Sequence, residues 1–238
     1  MREGAERKNM EQTTNSSVMH KPYEKFLRLG PESLSEAELL AIILRTGTHK
    51  CSALELAKKV LSLFQGTEGG LNGLHHISLK ELMELPGIGE VKAVKLKCIA
   101  ELAIRMAQER AAVSLNFTSP GTVAAYYMET LRHEEKEKIL LLLLDNKMKL
   151  IEENVISVGT ANASLLSSRE VFLNALRCRA SNCMLLHNHP SGDPSPSRQD
   201  ILITRKIKEA GELLDIPLTD HIIVGDGSYV SLKEAALL

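Results

Sequence analysis

Six consecutive apolar residues, Ile139 to Leu144, sit between Lys138 and the turn-forming pair Asp145-Asn146. A run this short does not make a typical buried helix, and it has no polar face to give to water. It suits a central strand covered on both sides. The chain around it alternates in period. A helix runs from Pro120, with Thr118-Ser119 as cap and proline at the first helical position, to about Leu131. Lys149 to Val158 reads as a second strand, and Ser168 opens a helix through Val171, Leu173 and Leu176. Cys183 to His189 is a strand, Ser197 to Leu214 a helix, and Leu218 to Val224 a strand. Gly225-Asp226-Gly227 then turns into a short strand at Tyr229-Val230. Strands alternating with helices specify an α/β layered domain.

The front of the chain keeps a helical period. Residues 1–20 are polar and are expected to be a frayed tail. Ser33 or Ser35 can cap a helix through Glu36, Leu39, Leu40, Ile43 and Leu44, with Gly47 as its stop. A second helix spans about Ala53 to Phe64 and ends in the glycine-rich stretch from Gly66 to Gly73. Ser78 opens a third, Leu79 to Leu85, which Pro86-Gly87-Ile88-Gly89 breaks. A fourth covers about Glu90 to Arg110. The expected organisation is an all-α helical domain over residues 21–110, a linker from Ala111 to Pro120, and an α/β domain over 117–238.

Composition excludes several classes. Hydrophobic residues make up 44% and charged residues 25% of the 238, enough apolar material for a sizeable core and too little charge for a disordered chain. Residues up to Asn116 carry 16 Lys+Arg against 14 Asp+Glu, and the remainder 13 against 16. Neither half is basic enough to argue for nucleic acid by itself. Trp is absent and aromatics are 3%, so stacking platforms for bases are scarce. The first 20 residues, with Glu3, Glu6 and Glu11, lack the apolar core of a signal peptide, and no apolar run approaches a membrane span. Cys51, Cys98, Cys178 and Cys183 form no CxxC and read as free thiols. These features point to a cytoplasmic protein without a membrane partner; they leave the oligomeric state open.

The most informative stretch is His187-Asn188-His189-Pro190, followed six residues later by Ser197-Arg198-Gln199-Asp200. Two histidines two apart on a strand point to one face, with Cα atoms roughly 6.5 Å apart, so both imidazoles can reach one cation. Pro190 ends the strand, because it cannot donate to a ladder. The loop from Ser191 to Pro196 is built of turn formers and returns the chain, so that Asp200 in the first turn of a helix can be a third ligand. Two neutral nitrogens and a carboxylate suit Zn²⁺, and three protein ligands leave a fourth position for water, as in catalytic sites. The spacing of Ser197 and Asp200 equally fits a helix capping box. There is no H-E-x-x-H, no H-x-E with P-C-x-x-C, and no phosphate-cradling G-x-x-x-x-G-K.

The pattern H-x-H-P-x6-S-x-x-D resembles the JAMM/MPN+ metalloprotease signature. The run from His187 to Ser197, with Asp220-His221-Ile222-Ile223-Val224-Gly225, looks like the bacterial RadC family, as do Leu29 to Ser35 and Leu39 to Gly47 at the front. The resemblance extends from about Pro22 to the C-terminus. It implies a mixed β-sheet flanked by helices, zinc held by His187, His189 and Asp200, and hydrolysis of a peptide or isopeptide bond in a substrate protein. It also implies a glutamate base just before a core strand, where Glu137 stands, with Glu134, Glu135 and Glu170 as rivals. Ser197 would donate a hydrogen bond to the oxyanion. The Asp220-His221 pair precedes apolar residues, and His221 is expected to order a strand end. Cys178 and Cys183 lack a zinc spacing and read as small buried hydrophobes.

Leu85-Pro86-Gly87-Ile88-Gly89 with Lys92, Lys95 and Lys97 resembles a helix-hairpin-helix. Its glycines would expose amides at a helix N-terminus to a phosphate. Glu84 and Glu90 flank it and weaken the potential. Weak, non-specific DNA contact is one expectation here, and a packing or partner-binding hairpin the other.

Overall fold

A computed structural model describes residues 21–63, 70–159 and 166–238. The frayed tail expected for residues 1–20, the expected helix end at Phe64 and the glycines before Gly70 lie outside these. The chain divides into two compact units, Met1–Lys97 and Cys98–Leu238.

The described part of the first unit is helical: α1 (Pro22–Leu29), α2 (Glu36–Leu44), α3 (Ala53–Ser62), α4 (Gly73–His76), α5 (Leu79–Glu84) and the start of α6 (Glu90–Ala112). Three of these helices begin alike. Ser35, Ser52 and Ser78 each accept the amide of a glutamate three residues on, and that glutamate returns to the serine's own amide. Each capping box satisfies two amides that the helix start would otherwise leave unpaired. Gly47 does not stop α2. The helix ends at Leu44 because Arg45 turns left-handed at φ 66°. Likewise α3 ends at Ser62, ahead of the glycine-rich stretch. Leu40, Leu44, Leu56, Leu74, Leu82 and Leu96 are fully buried. Gly87 in the Pro86–Gly89 turn has φ 103°, and a Cβ there would lie 2.4 Å from Thr48 Cγ2, so both backbone and packing require glycine.

The second unit is a five-stranded mixed sheet with helices on both faces. Its strands are β1 (Lys138–Leu144), β2 (Leu150–Val158), β3 (Asn182–Asn188), β4 (Leu218–Val224) and β5 (Tyr229–Ser231), in the order β2-β1-β3-β4-β5. Only the β3–β4 pairing is parallel. Helix α7 (Pro120–Leu131) packs Val123, Ala124, Tyr127 and Leu131 on one face, against Leu140, Leu142, Leu144, Met184 and Leu186. Helices α8 (Ser168–Arg177) and α9 (Arg198–Leu213) cover the other. There Val171, Phe172, Ile203 and Ile207 meet Ile139, Leu141, Leu143, Cys183 and Leu185. The apolar run of β1 therefore supplies both cores, odd residues to one and even residues to the other, as an interior strand must. Phe117, ahead of α7, is also buried in the α7 core.

The pairing of β3 with β4 is irregular at one point. Its register joins Cys183 to Leu218 but Met184 to Asp220, so β4 carries an extra residue. The bulge lets Leu218 and His221 share a face although they are three apart. Leu218 joins the α8/α9 core, and His221 pairs with Leu185, which belongs to that same core. Among the described residues no helix is long and apolar enough to cross a membrane.

Candidate metal centre

Alternation along β3 sends Cys183, Leu185 and His187 toward α8 and α9, and Met184, Leu186 and Asn188 toward α7. His189 follows directly. Its amide donates to the Val224 carbonyl at 2.9 Å, so the ladder with β4 carries it one residue past the strand. His187 and His189 thus emerge on one face, with their Nε2 atoms 3.0 Å apart.

Asp200 arrives from α9. Ser197 Oγ accepts the Asp200 amide at 3.1 Å, and the Ser197 amide donates to Asp200 Oδ2 at 2.7 Å. The capping box and the metal-ligand readings of this pair are therefore compatible, since the cap itself aims the carboxylate. Asp200 Oδ1 lies 3.5 Å from His187 Nε2 and Oδ2 lies 3.5 Å from His189 Nε2, while Asp200 is only 4% exposed. Among the described residues, His187, His189 and Asp200 form the one group of His, Cys, Asp or Glu placed to hold a metal, with ligand atoms within 4.8 Å of one another.

The donor set fits a cation. His189 Nδ1 lies 2.8 Å from the Asp193 carbonyl oxygen. A carbonyl can only accept, so Nδ1 carries the proton and Nε2 of the neutral ring is bare. That lone pair, the facing nitrogen of His187 and a carboxylate converge with little solvent, an arrangement that calls for positive charge between them. The electrostatics agree. Burial pushes His187 well below the usual histidine range, reinforced by His221. The facing Asp200 carboxylate raises His189, favouring positive charge at this point. Against the upward push of burial, the attraction of His189, the hydrogen bond from Ser197 and the nearby His187 hold the Asp200 carboxyl well below its usual range.

Glu137 stands immediately before β1 and is half-buried. The β1–β3 register pairs Ile139 with His187; continued by two residues, it sets Glu137 opposite His189. Burial raises the Glu137 carboxyl, the Asp200 charge adds to this, and His189 opposes it. The rival glutamates are elsewhere engaged or open to water. Glu134 pairs with Lys138 Nζ at 2.8 Å, Glu135 is exposed, and Glu170 is exposed in the first turn of α8. Ser197 is the exposed N-cap of α9.

Three neighbours of the site were not assigned to it from sequence. Asn188, between the two histidines, turns to the opposite face and is buried. Its Nδ2 donates to the carbonyls of Glu134 and Lys136, each at 3.2 Å, and its Oδ1 accepts the Lys138 amide at 2.8 Å. The side chain thereby holds the segment that carries Glu137. His221 is not at a strand end, as expected, but within β4 and fully buried, its Nε2 2.8 Å from His187 Nδ1. Thr204 on α9 lies between Asp200 and His221. Asp220 is separated from His221 by the strand's alternation. Its carboxylate accepts the His221 and Lys233 amides and the Ser231 hydroxyl, tying the C-terminal turn to β4. The Asp-His dipeptide gave some signal for His221; nothing local distinguishes Thr204.

Cys183 is buried in the α8/α9 core, and burial pushes its thiol up to about 12. Cys178 differs from the expected buried hydrophobe. It is partly exposed and its Sγ lies 2.6 Å from Glu152 Oε2. In the first unit, Lys92 Nζ donates to the carbonyls of Thr46 and Gly87, and Lys97 Nζ to those of Leu74, His75 and Ile77. Lys95 is exposed.

Residues 117–237 match the RadC-like JAB domain, and residues 14–94 match the UPF0758 N-terminal domain. A UPF0758 protein of Desulforamulus reducens is 43% identical over 92% of this chain and 94% of its own length. One of Alkaliphilus metalliredigens is 44% identical over 93% and 94%. Another, of Methanosarcina mazei, is 42% identical over 90% and 91%. With its His-His-Asp group brought together by β3 and α9 of a RadC-like JAB domain and its helical front matched separately, this chain belongs to the RadC-like UPF0758 family.

Proposed function

We propose that this chain is a zinc-dependent hydrolase that cleaves an amide bond, peptide or isopeptide, with water as nucleophile. The observation that carries the reading is the convergence of two imidazole nitrogens and a buried carboxylate, with the half-buried Glu137 electrostatically coupled to them. His187, His189 and Asp200 would hold the ion. Bound zinc with three protein ligands supplies a Lewis acid and lowers the pKa of water toward about 7.

The remaining roles fall to side chains. Glu137 is the general base: its carboxylate takes a proton from the attacking water and returns it to the departing nitrogen, so amide and water become carboxylic acid and amine. Burial brings the pKa of this group closer to working pH, the direction such a base needs. Ser197 Oγ accepts the Asp200 amide, which leaves its own proton to donate to the carbonyl oxygen as negative charge develops there. Asn188 keeps the Glu137 segment against the strand that bears both histidines. Four free cysteines fit a reducing, cytoplasmic setting.

The alternative, a DNA-associated accessory module, draws less support. Two of the three lysines beside the Pro86–Gly89 hairpin direct their ammonium groups at carbonyls of their own unit. Contact through the hairpin amides and Lys95 would read phosphate only and fall steeply with salt.

Metal analysis of the purified protein, followed by unbiased substrate profiling of wild type and Glu137→Gln, tests the proposal. Glu137→Gln should keep its zinc and lose roughly 10²- to 10⁴-fold in hydrolysis. Loss of turnover in Glu170→Gln but not in Glu137→Gln would mean that the base is misassigned.

A further inference from the structure

We propose that Thr204 and His221 form a one-way hydrogen-bond relay that fixes the tautomer of His187, so that His187 Nε2 meets the metal as a bare lone pair. The inference rests on the metal-site reading above and deepens it.

The direction of the relay follows from counting protons. The Asp200 carbonyl oxygen can only accept, and Thr204 has a single hydroxyl proton. At 2.5 Å from that carbonyl, Thr204 Oγ1 donates to it. The Thr204 oxygen also faces His221 Nδ1 at 2.5 Å, and with its proton already engaged it can only accept there. The His221 ring proton therefore sits on Nδ1, which leaves Nε2 of the neutral ring bare. That nitrogen is 2.8 Å from His187 Nδ1, so the bond between them needs a proton on His187 Nδ1. His187 Nε2, the atom facing His189 and Asp200, remains unprotonated. Reversing any one link would set two lone pairs or two protons against each other. Thr204, His221 and His187 are all buried, so no bulk water would relieve the clash.

The relay also explains why α9 contributes more than a ligand. One helical turn, from Asp200 to Thr204, aims a carboxylate at the site and starts the chain of bonds that orients the facing imidazole. His189 reaches the same protonation pattern independently, through the Asp193 carbonyl in the loop after Pro190. Thr204 and His221 are positioning residues, since neither is among the groups facing the metal position.

Ring-nitrogen NMR on full-length, metal-free protein labelled with ¹⁵N-histidine tests the relay without any substrate. Near neutral pH, His187 and His221 should each carry the proton on Nδ1 and show an unprotonated Nε2. A proton on His187 Nε2, or protons on both nitrogens of His221, overturns the relay. Thr204→Val keeps the side chain's shape and removes both hydrogen bonds. Its zinc affinity, measured by chelator competition, should fall about 10- to 100-fold, the usual cost of losing such an outer partner. Thr204→Ser should restore most of it. Unchanged zinc affinity in a folded Thr204→Val protein also overturns the relay. Should that variant not fold, the wild-type ring-nitrogen pattern decides by itself. Wild-type protein that shows the pattern but takes up no zinc supports the relay and overturns the hydrolase reading on which its purpose rests.

Discussion

The two units handle polar groups in opposite ways. In the described part of the first, every buried side chain is apolar, and the polar work is done at helix ends: three serine-glutamate capping boxes, and two lysines closing on backbone carbonyls. In the second, His187, Asn188, Asp200, Thr204, Asp220, His221 and Ser231 are all buried. Burying such groups costs free energy unless each finds a partner. Here His187, Asp200, Thr204 and His221 converge on one face of the sheet and are bonded or paired to one another, while Asn188 and the Asp220–Ser231 pair find their partners elsewhere in the unit. A cost of that kind, concentrated at one place, is what separates a chemical site from a scaffold. The helical unit shows the residue economy of a scaffold, and the sheet unit departs from it where chemistry is proposed.

The contrast can be broken by experiment, most strongly at the ligands. His187→Ala, His189→Ala and Asp200→Ala should each reduce bound zinc from about one per chain to a small residue, since two ligands rarely suffice for a stable site. Retention of full metal by all three would remove the distinction between the units. Core truncation should have the next largest effect. Leu143 is wholly buried between β1 and the α8/α9 helices, and Leu143→Ala should cost about 2–5 kcal/mol in denaturant unfolding of the sheet unit. A cost under about 1 kcal/mol would mean that this core is looser than its burial implies.

Lesions in the scaffold should be smaller and leave zinc alone. Ser78→Ala removes a cap from α5 and should lower the stability of the helical unit by about 0.5–2 kcal/mol, with metal content unchanged. Zinc loss in this variant would show that the helical unit takes part in the site. The smallest effect concerns pH. The Lys25 hydrogen bond, with help from Ser35, lowers Glu38 from 4.5 to about 2. A depressed carboxyl pKa contributes stability that is complete above about 4.5 and is lost as pH falls through about 2. Glu38→Gln should therefore flatten the acid limb of the helical unit's stability between those values. An identical acid limb in wild type and variant would remove Glu38 from that role.

Much of the molecule was open to reading from the chain alone. The apolar run of β1, the shared face of His187 and His189, the serines that start α2, α5 and α9, and Asp200 in the first turn of α9 are all consequences of local spacing. Local spacing also misled. Glycine at position 47 suggested a helix stop, whereas Arg45 takes the left-handed turn itself. His221 looked like a strand-end residue because the apolar residues come after it. It lies instead in the middle of β4, and the bulge ahead of it sets it on the face toward α9.

What the sequence by itself determined is therefore the kind of each element and the side chains each offers on a given face, because the periods of helix and strand are set within a few residues by backbone sterics. What only the tertiary structure decided is which offers meet. Asn188 reaches the backbone of residues 134–138, His221 reaches His187, and Thr204 stands between Asp200 and His221. Those meetings span up to 54 residues of chain. They depend on strand order, on the registers of β1 with β3 and β3 with β4, and on one extra residue in β4. Register is chosen by burying both faces of the whole sheet at once, and no window of sequence contains that sum.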